Sequence, residues 1–166
     1  MNIALIGMPG SGKSTVGKAL AHELTWNFLD TDSLIELETG ECISNYISTH
    51  GEDKFCEIQE RVVSGLKTTC TAISTGGGVI YSVRCVRRLQ NISEVIFLDV
   101  DLDLITKRIE KEPRNLIGGR NANIASMYFE RHPLYLKYAA HKIEASTKNV
   151  DIIVQEIIAL LGLRRN

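Results

Sequence analysis

Residues 7–14 read Gly7-Met8-Pro9-Gly10-Ser11-Gly12-Lys13-Ser14, and their glycines, lysine and hydroxyl residue have the spacing of a loop that binds phosphate groups. Glycines let the backbone turn so that several N–H groups point at one anion. Lys13 is placed to reach the β- and γ-phosphates, and the hydroxyl of Ser14 to ligate Mg²⁺. The motif therefore predicts a site for a nucleoside triphosphate with magnesium.

The residues on either side of this loop have the pattern of a strand and a helix. Asn2 to Gly7 contains a short apolar run, which is typical of a buried strand. Val16, Leu20 and Leu24 recur every four residues, as they would on one face of a helix. The alternative is a glycine-rich turn beside an exposed lysine, which would not require either flanking pattern.

The rest of the chain continues this alternation of strands and helices in a single domain. Further strands are predicted at 26–30, 71–75, 95–98 and 142–145. Helices are predicted at 31–38, 41–50, 51–66, 81–90, 101–111 and 124–131, the last of them ending before Pro133, with a further turn or two within 134–140. A final helix is capped by Asn149 or Asp151 and is expected to bury Ile153, Ile157, Leu160 and Leu161.

Two carboxylates, Asp30 and Asp32, follow the second predicted strand. Ligands of open α/β sheets bind at the carboxyl ends of the strands, so these side chains are expected to face the phosphates held by the first loop. One carboxylate would serve Mg²⁺ and the other an acceptor hydroxyl. The alternative is that Asp32 only caps the helix that follows.

Two glycine-containing segments suggest further parts of a site. Gly76-Gly77-Gly78 follow the third predicted strand, which indicates either backbone held close against a ligand or a flexible turn. The segment 111–123 combines proline and glycine with Arg114 and Arg120, a composition suited to a mobile lid. Lid arginines can stabilise a transferring phosphoryl group, although most arginines are solvated surface charges.

Composition excludes several classes of protein. The 19 basic and 20 acidic residues leave a formal charge of −1, so a broad nucleic-acid surface is not expected. The four cysteines lack the spacing of a zinc site and are expected to be free thiols. No signal peptide or membrane span is predicted, which favours a cytoplasmic protein.

Taken together, these segments resemble the shikimate kinase family. The matching segments are residues 7–14, Phe28-Leu29-Asp30-Thr31-Asp32, Gly51-Glu52 to Phe55, Gly76-Gly77-Gly78, Arg114 and Arg131-His132-Pro133-Leu134-Tyr135. Their order and spacing cover nearly the whole chain. The resemblance implies an α/β P-loop kinase fold, with a five-stranded parallel sheet flanked by helices, a helical substrate-binding insertion at about 31–66 and a lid at about 111–123.

The implied activity is transfer of the γ-phosphoryl group of MgATP to the 3-hydroxyl of shikimate by a cytoplasmic monomer. In the implied catalytic set, Lys13 and Arg114 stabilise charge and Asp32 binds the substrate hydroxyls and accepts the proton. The implied ATP-binding residues are Gly10, Ser11, Gly12, Lys13, Ser14, Thr15, Arg108 and Arg114, with Lys107 as an alternative to Arg108 near the adenine. Ser14, and Asp30 through water, are implied for Mg²⁺; Asp32, Gly76, Gly77, Gly78 and Arg131 are implied for shikimate.

The sequence departs from the family pattern at two positions. Cys56 stands where the pattern has an arginine that pairs with the shikimate carboxylate, and Asn115 stands where the lid usually has proline. Arg61 is five residues further along and is not expected to lie on the same helix face as Cys56. Cys56 therefore leaves two alternatives open, namely a kinase for another polyol or sugar acid and an ATP-binding module that has lost catalysis.

Overall fold

A computed structural model describes residues 1–111 and 123–163 of the chain. The predicted lid at 111–123 lies almost entirely outside the described residues. Arg114, Asn115 and Arg120 therefore lie outside them as well.

The core of the molecule is a sheet of five parallel strands in the order β2-β3-β1-β4-β5. The strands are β1 (Asn2–Ile6), β2 (Asn27–Asp30), β3 (Thr71–Ser74), β4 (Glu94–Asp99) and β5 (His141–Glu144). Every residue of β1 and β3 is buried, as expected for a parallel sheet that is covered on both faces. The predicted five-stranded α/β fold is confirmed.

Helices connect successive strands and cover the sheet. They are α1 (Lys13–Leu24), α2 (Thr31–Thr39), α3 (Ile43–His50), α4 (Glu52–Ser64), a 3₁₀ turn at Val79–Tyr81, α5 (Val83–Ile92), α6 (Leu102–Lys111), α7 (Ile124–Tyr138) and α8 (Val150–Leu160). Within the described part of the chain, none of these helices has the length and hydrophobicity needed to span a bilayer.

The helices α2, α3 and α4 bury a small hydrophobic cluster of their own. Ile35, Phe55 and Ile58 form this cluster, apart from the main core around the sheet. Because these three helices lie between β2 and β3 in the chain, they form an excursion next to the carboxyl ends of those strands. The assignment of about 31–66 as a substrate-binding insertion stays a prediction.

Helix α7 corrects the prediction that a helix ends before Pro133, because it continues from Ile124 to Tyr138 with the proline inside it. Proline removes one helical hydrogen bond, which here would join residue 133 to the carbonyl of Phe129. Phe129 is exposed, so water can reach that part of the helix. Arg131 and Tyr135, on either side of the proline, are buried and hydrogen-bonded, and these tertiary contacts hold the helix together.

Two smaller predictions are also wrong. Tyr81 belongs to the 3₁₀ turn, and α5 begins only at Val83 because the hydroxyl of Ser82 accepts a hydrogen bond from the N–H of Cys85 and caps the helix. Leu160 is exposed, because α8 turns a different face to the core. That face is formed by Ile153, Val154, Ile157 and Ile158. Asn149 is the cap of α8, one of the two predicted alternatives.

Candidate active site

A cavity of about 390 Å³ opens at the carboxyl ends of β1, β2 and β3. These strands are neighbours in the sheet, so the segments that follow them meet at one place. The predicted site residues that line the cavity are Gly10, Gly12, Lys13, Ser14, Thr15, Asp30, Asp32, Gly76, Gly77, Gly78 and Arg131. The structure therefore brings together residues that are far apart in the sequence.

The phosphate loop joins β1 to α1 through backbone conformations that favour glycine. Gly10 has φ of 81° and Gly12 has φ of 93°, values that residues with a side chain rarely adopt. The ammonium group of Lys13 donates hydrogen bonds to the carbonyl oxygens of Gly7 and Met8 at 2.9 and 2.8 Å. The lysine cation is therefore held against the loop, at the positive end of α1 where anions bind favourably.

The hydroxyl of Ser14 lies between two further oxygen atoms. It donates to Oδ2 of Asp30 at 2.8 Å and lies 3.1 Å from the hydroxyl of Ser74. Oxygen donors of this kind suit Mg²⁺, which is usually held by few protein groups and completes its shell with water and phosphate. In the described part of the chain no group of three His, Cys, Asp or Glu residues could hold a metal by itself, which agrees with so sparse a ligand set.

Asp32 is a largely buried carboxylate that lines the cavity. The cap of α2 is Asp30, whose Oδ1 accepts from the N–H of Asp32 at 3.0 Å, so the alternative that Asp32 caps this helix is wrong. Oδ1 of Asp32 is buried and has no hydrogen-bond partner among the described residues. Burial, followed by the neighbouring charge of Asp30, raises the pKa of Asp32 to about 6, although Lys13 acts in the opposite direction.

Two of the three glycines after β3, Gly76 and Gly77, are needed for close packing. A Cβ on Gly76 would lie 2.4 Å from Oδ1 of Asp32, and one on Gly77 would lie 2.9 Å from the ring of Pro9. The backbone N–H of Gly76 also donates to the hydroxyl of Thr31 at 3.1 Å. The alternative of a plain flexible turn is therefore wrong, and the atoms that approach the glycines belong to the protein itself.

Arg131 reaches the cavity from α7. It is only 2 % exposed, and Nη1 would lie 3.2 Å from a Cβ on Gly77. One turn further along the helix, the hydroxyl of Tyr135 donates to the carbonyl oxygen of Gly77 at 2.7 Å. The guanidinium group and the glycine loop thus share one wall of the cavity, next to Pro9 of the phosphate loop.

A second cavity of about 320 Å³ lies behind the phosphate loop. It contains Ser11 and Arg108, and Nη1 of Arg108 donates to the carbonyl oxygen of Gly10 at 3.0 Å. Lys111 and Lys148 add two cations to its lining. Lys107, the alternative to Arg108, lines a separate shallow depression.

Gln59 lines the main cavity but was not predicted from the sequence. It is 3 % exposed, and its side-chain nitrogen has no hydrogen-bond partner among the described residues. This nitrogen would lie 3.2 Å from a Cβ on Gly76, beside Asp32. The sequence spacing could have indicated Gln59, because it follows Phe55 by four residues and therefore lies on the same face of α4.

A family model described as shikimate kinase matches residues 9–162 of the chain. The chain belongs to the shikimate kinase family. It is 38 % identical over 156 residues to a shikimate kinase of Clostridium botulinum, with 93 % of each protein covered. It is 33 % identical over 161 residues to one of Staphylococcus aureus, covering 96 % of this chain and 92 % of the relative.

Solved structures of the shikimate kinase family have the same fold. The shikimate kinase of Acinetobacter baumannii in complex with shikimate aligns with a TM-score of 0.86 at 29 % identity, covering 97 % of this chain and 92 % of that one. The enzyme of Aquifex aeolicus aligns with a TM-score of 0.83 at 26 % identity, covering 98 % and 96 %.

Cys56 is the main departure of this shikimate kinase family member from the family pattern. Cys56 is an exposed free thiol on α4. Arg61 pairs with the carboxylate of Glu38 and is 68 % exposed, so it does not replace the missing arginine. Among the described residues, Arg131 is the one arginine that lines the main cavity.

Proposed function

We propose that this chain is a shikimate kinase, which transfers the γ-phosphoryl group of ATP to the 3-hydroxyl of shikimate in the pathway to the aromatic amino acids. The observation that carries the proposal is that one cavity joins the phosphate loop to a buried carboxylate and a buried guanidinium group. Asp32 and Arg131 provide the two kinds of group that a hydroxylated carboxylic acid requires. The family supplies the identity of that acid.

Phosphoryl transfer requires little covalent chemistry from the protein, so positioning and electrostatics carry the catalysis. The backbone of the phosphate loop and the ammonium group of Lys13 hold the terminal phosphates. Ser14 directly, and Asp30 through water, would hold Mg²⁺, which neutralises charge on the β- and γ-phosphates. With the nucleotide fixed at this end, the acceptor hydroxyl approaches from the side of Asp32.

Asp32 is proposed to accept the proton of the substrate. The oxygen of the 3-hydroxyl forms a bond to the γ-phosphorus while the bond from that phosphorus to the bridging oxygen of ADP breaks. The hydroxyl proton passes to the carboxylate of Asp32. A pKa of about 6 suits this role, because the carboxylate is ionised at neutral pH yet basic enough to take a proton.

The carboxylate of the substrate is proposed to bind Arg131, and one of its ring hydroxyls is proposed to bind Gln59. A guanidinium group binds a carboxylate through two parallel hydrogen bonds. The side-chain nitrogen of Gln59, which is buried beside Asp32, is proposed to donate to a ring hydroxyl. The backbone of Gly76, Gly77 and Gly78 completes this side of the substrate site.

Several further roles rest on the family resemblance. Arg114 is proposed to stabilise the transferring phosphoryl group from a lid at about 111–123. Arg108 is proposed to border the adenine, and its bond to Gly10 beside the second cavity supports a place near the nucleotide. A cytoplasmic monomer that binds only small molecules remains the proposed state.

The experiment that tests the function is an ADP-release assay with shikimate, quinate and gluconate in parallel. Turnover with shikimate at micromolar to low millimolar concentration is expected, and Asp32→Asn serves as the inactive control. Turnover with gluconate or quinate but not with millimolar shikimate would show that the proposed substrate is wrong and that the proposed type of reaction is right. ATP binding by calorimetry without transfer to any of the three acids would indicate a module without catalysis.

A further inference from the structure

Tyr81 contacts the guanidinium group of Arg131 in two ways. The phenolic oxygen accepts a hydrogen bond from Nε of Arg131 at 3.0 Å. The tyrosine ring also lies beneath the guanidinium group, with the guanidinium carbon 5.1 Å from the ring centroid, which is within the range of a cation–π interaction. One contact fixes an edge of the guanidinium plane and the other fixes its face.

This arrangement determines which nitrogens of Arg131 remain for a ligand. An arginine can present a carboxylate with either its Nε edge or the edge between its two terminal nitrogens. Nε is bound to Tyr81, whereas Nη1 lies beside Gly77 in the cavity wall. No carboxylate of the described residues forms an ion pair with Arg131 within 4 Å. The Arg131 side chain also interacts with the hydroxyl of Tyr135, but Tyr81 is the residue that occupies Nε, so the terminal edge is the one available for a carboxylate.

The contact belongs to a pair of bonds between α7 and the loop after β3. Arg131 and Tyr135 are four residues apart on α7 and lie on one face of the helix. Gly77 and Tyr81, also four residues apart, receive their hydrogen bonds on the loop. The loop that carries the glycines of the substrate site therefore also carries the residue that orients the arginine.

Tyr81 keeps its proton at neutral pH, as this arrangement requires. Partial burial raises the pKa of Tyr81 above its ordinary value, the neighbouring Arg131 lowers it and Glu130 raises it. A neutral phenol accepts from Nε and adds no negative charge that would compete with a substrate carboxylate for the arginine.

We propose that Tyr81 is a positioning residue that orients Arg131 for end-on binding of the substrate carboxylate through its two terminal nitrogens. The inference rests on the proposed function and explains how the cavity binds a carboxylate although Cys56 stands in place of the family's second arginine. Because Arg131 is the one arginine that lines the main cavity in the described part of the chain, affinity is expected to depend on how well its guanidinium group is held before the substrate arrives.

The test compares Tyr81→Leu and Tyr81→Phe with the parent protein on two substrates, shikimate and its methyl ester. Loss of both contacts in Tyr81→Leu is expected to raise KM for shikimate about 10-fold, and loss of the hydroxyl alone in Tyr81→Phe about 3-fold. The value of kcat and the KM for ATP are expected to stay within about 2-fold. Because the ester has no carboxylate charge, its KM is expected to be the same in all three proteins.

Val83→Ala is the matched control, because Val83 is an exposed residue two positions after Tyr81. This substitution is expected to leave every kinetic constant unchanged. Thermal unfolding checks that each variant is folded, and Tyr81→Phe suffices if Tyr81→Leu does not fold. Equal effects on shikimate and on the ester, or no effect on either, would overturn the role of Tyr81 while leaving the function intact. Failure of the parent protein to phosphorylate shikimate would instead overturn the proposed function and this inference with it.

Discussion

Asp32 is largely buried, and its Oδ1 is a buried oxygen without a hydrogen-bond partner among the described residues. A buried carboxylate without full hydrogen bonding destabilises the folded state when it is ionised. The same features raise its pKa toward the range of a general base. Ionised Asp32 is therefore expected to destabilise the folded protein, although the same environment makes the carboxylate a better base.

Asp32→Asn should stabilise the protein in a pH-dependent way. Folding raises the pKa of Asp32 from 3.8 to about 6, so the folded state binds this proton more tightly than the unfolded state. The cost of ionisation is absent below about pH 4 and complete above about pH 7, where it amounts to about 2–3 kcal/mol. Urea unfolding of both proteins between pH 4 and 8 should show the variant gaining relative stability as the pH rises.

Asp103→Asn provides the control for this measurement, because Asp103 is exposed on α6 and a surface change of this kind has little effect on stability. Kinase activity with shikimate should be lost in Asp32→Asn only. A stability difference that is constant across the pH range would show that ionisation of Asp32 does not carry the effect.

Cys56 is the residue at which this chain departs most from the family pattern. Cys56→Arg should lower KM for shikimate by about 10- to 100-fold, the equivalent of one additional hydrogen-bonded charge pair. KM for ATP should be nearly unchanged, because the nucleotide binds at the other end of the cavity. Steady-state kinetics with each substrate varied in turn measure both constants.

Thr49→Arg on the exposed end of α3 controls for the added positive charge. It should leave KM for shikimate unchanged. An unchanged or raised KM for shikimate in Cys56→Arg would mean that Arg131 or another residue already satisfies the carboxylate.

At the scale of elements, the contact between α7 and the glycine loop determines the shape of the substrate site. Tyr135 is fully buried, and its hydroxyl bonds to the carbonyl of Gly77. The ring of Tyr135 stacks on Phe97 of β4, with the ring centroids 5.1 Å apart. These contacts hold α7, which contains Pro133, against both the loop and the sheet.

Tyr135→Phe should lower the free energy of unfolding by about 1–3 kcal/mol, because it leaves the carbonyl of Gly77 without this partner. KM for shikimate should also rise, since Gly77 forms part of the cavity wall. Urea unfolding and kinetics measure the two effects. Tyr138→Phe is the matched control, since the hydroxyl of Tyr138 has no hydrogen bond among the described residues, and it should change neither quantity.

At the scale of the whole molecule, different elements provide the groups that are proposed to bind the two substrates. The phosphate loop, Ser14 and Asp30 occupy the end where ATP and Mg²⁺ are proposed to bind. Arg131 and Gln59, which come from α7 and α4, are the side chains proposed to bind shikimate together with Asp32. The two substrates are therefore expected to bind through largely separate groups of residues.

Removal of Mg²⁺ with EDTA should abolish phosphoryl transfer while shikimate binding persists. The dissociation constant for shikimate, measured by calorimetry without nucleotide, should change by less than about 3-fold when EDTA is added, because no proposed ligand of shikimate is also a ligand of the metal. Adding Mg²⁺ back should restore turnover. Loss of shikimate binding in EDTA would show that the metal site and the substrate site are not separate.

The sequence by itself determined the sheet, most of the helices and the phosphate-loop, aspartate and glycine segments that meet at the cavity, whereas Arg131 was implied only by the family resemblance and Gln59 was missed. The elements and segments that it determined follow from local signals, since the phosphate loop, the apolar strands and the spacing of Val16, Leu20 and Leu24 are dictated by short-range geometry and by burial on one face. The family resemblance added the expectation that segments far apart in the sequence form one site.

Only the tertiary structure decided how these side chains are used. Helix α7 continues through Pro133 because contacts on both sides of the proline outweigh one missing hydrogen bond. Gln59 gains its role from Gly76 and Asp32 on other elements, and Tyr81 gains its role from Arg131, which is 50 residues away along the chain. Local patterns report which face of an element is buried, whereas partners across the cavity are fixed only when the sheet and the helices have packed.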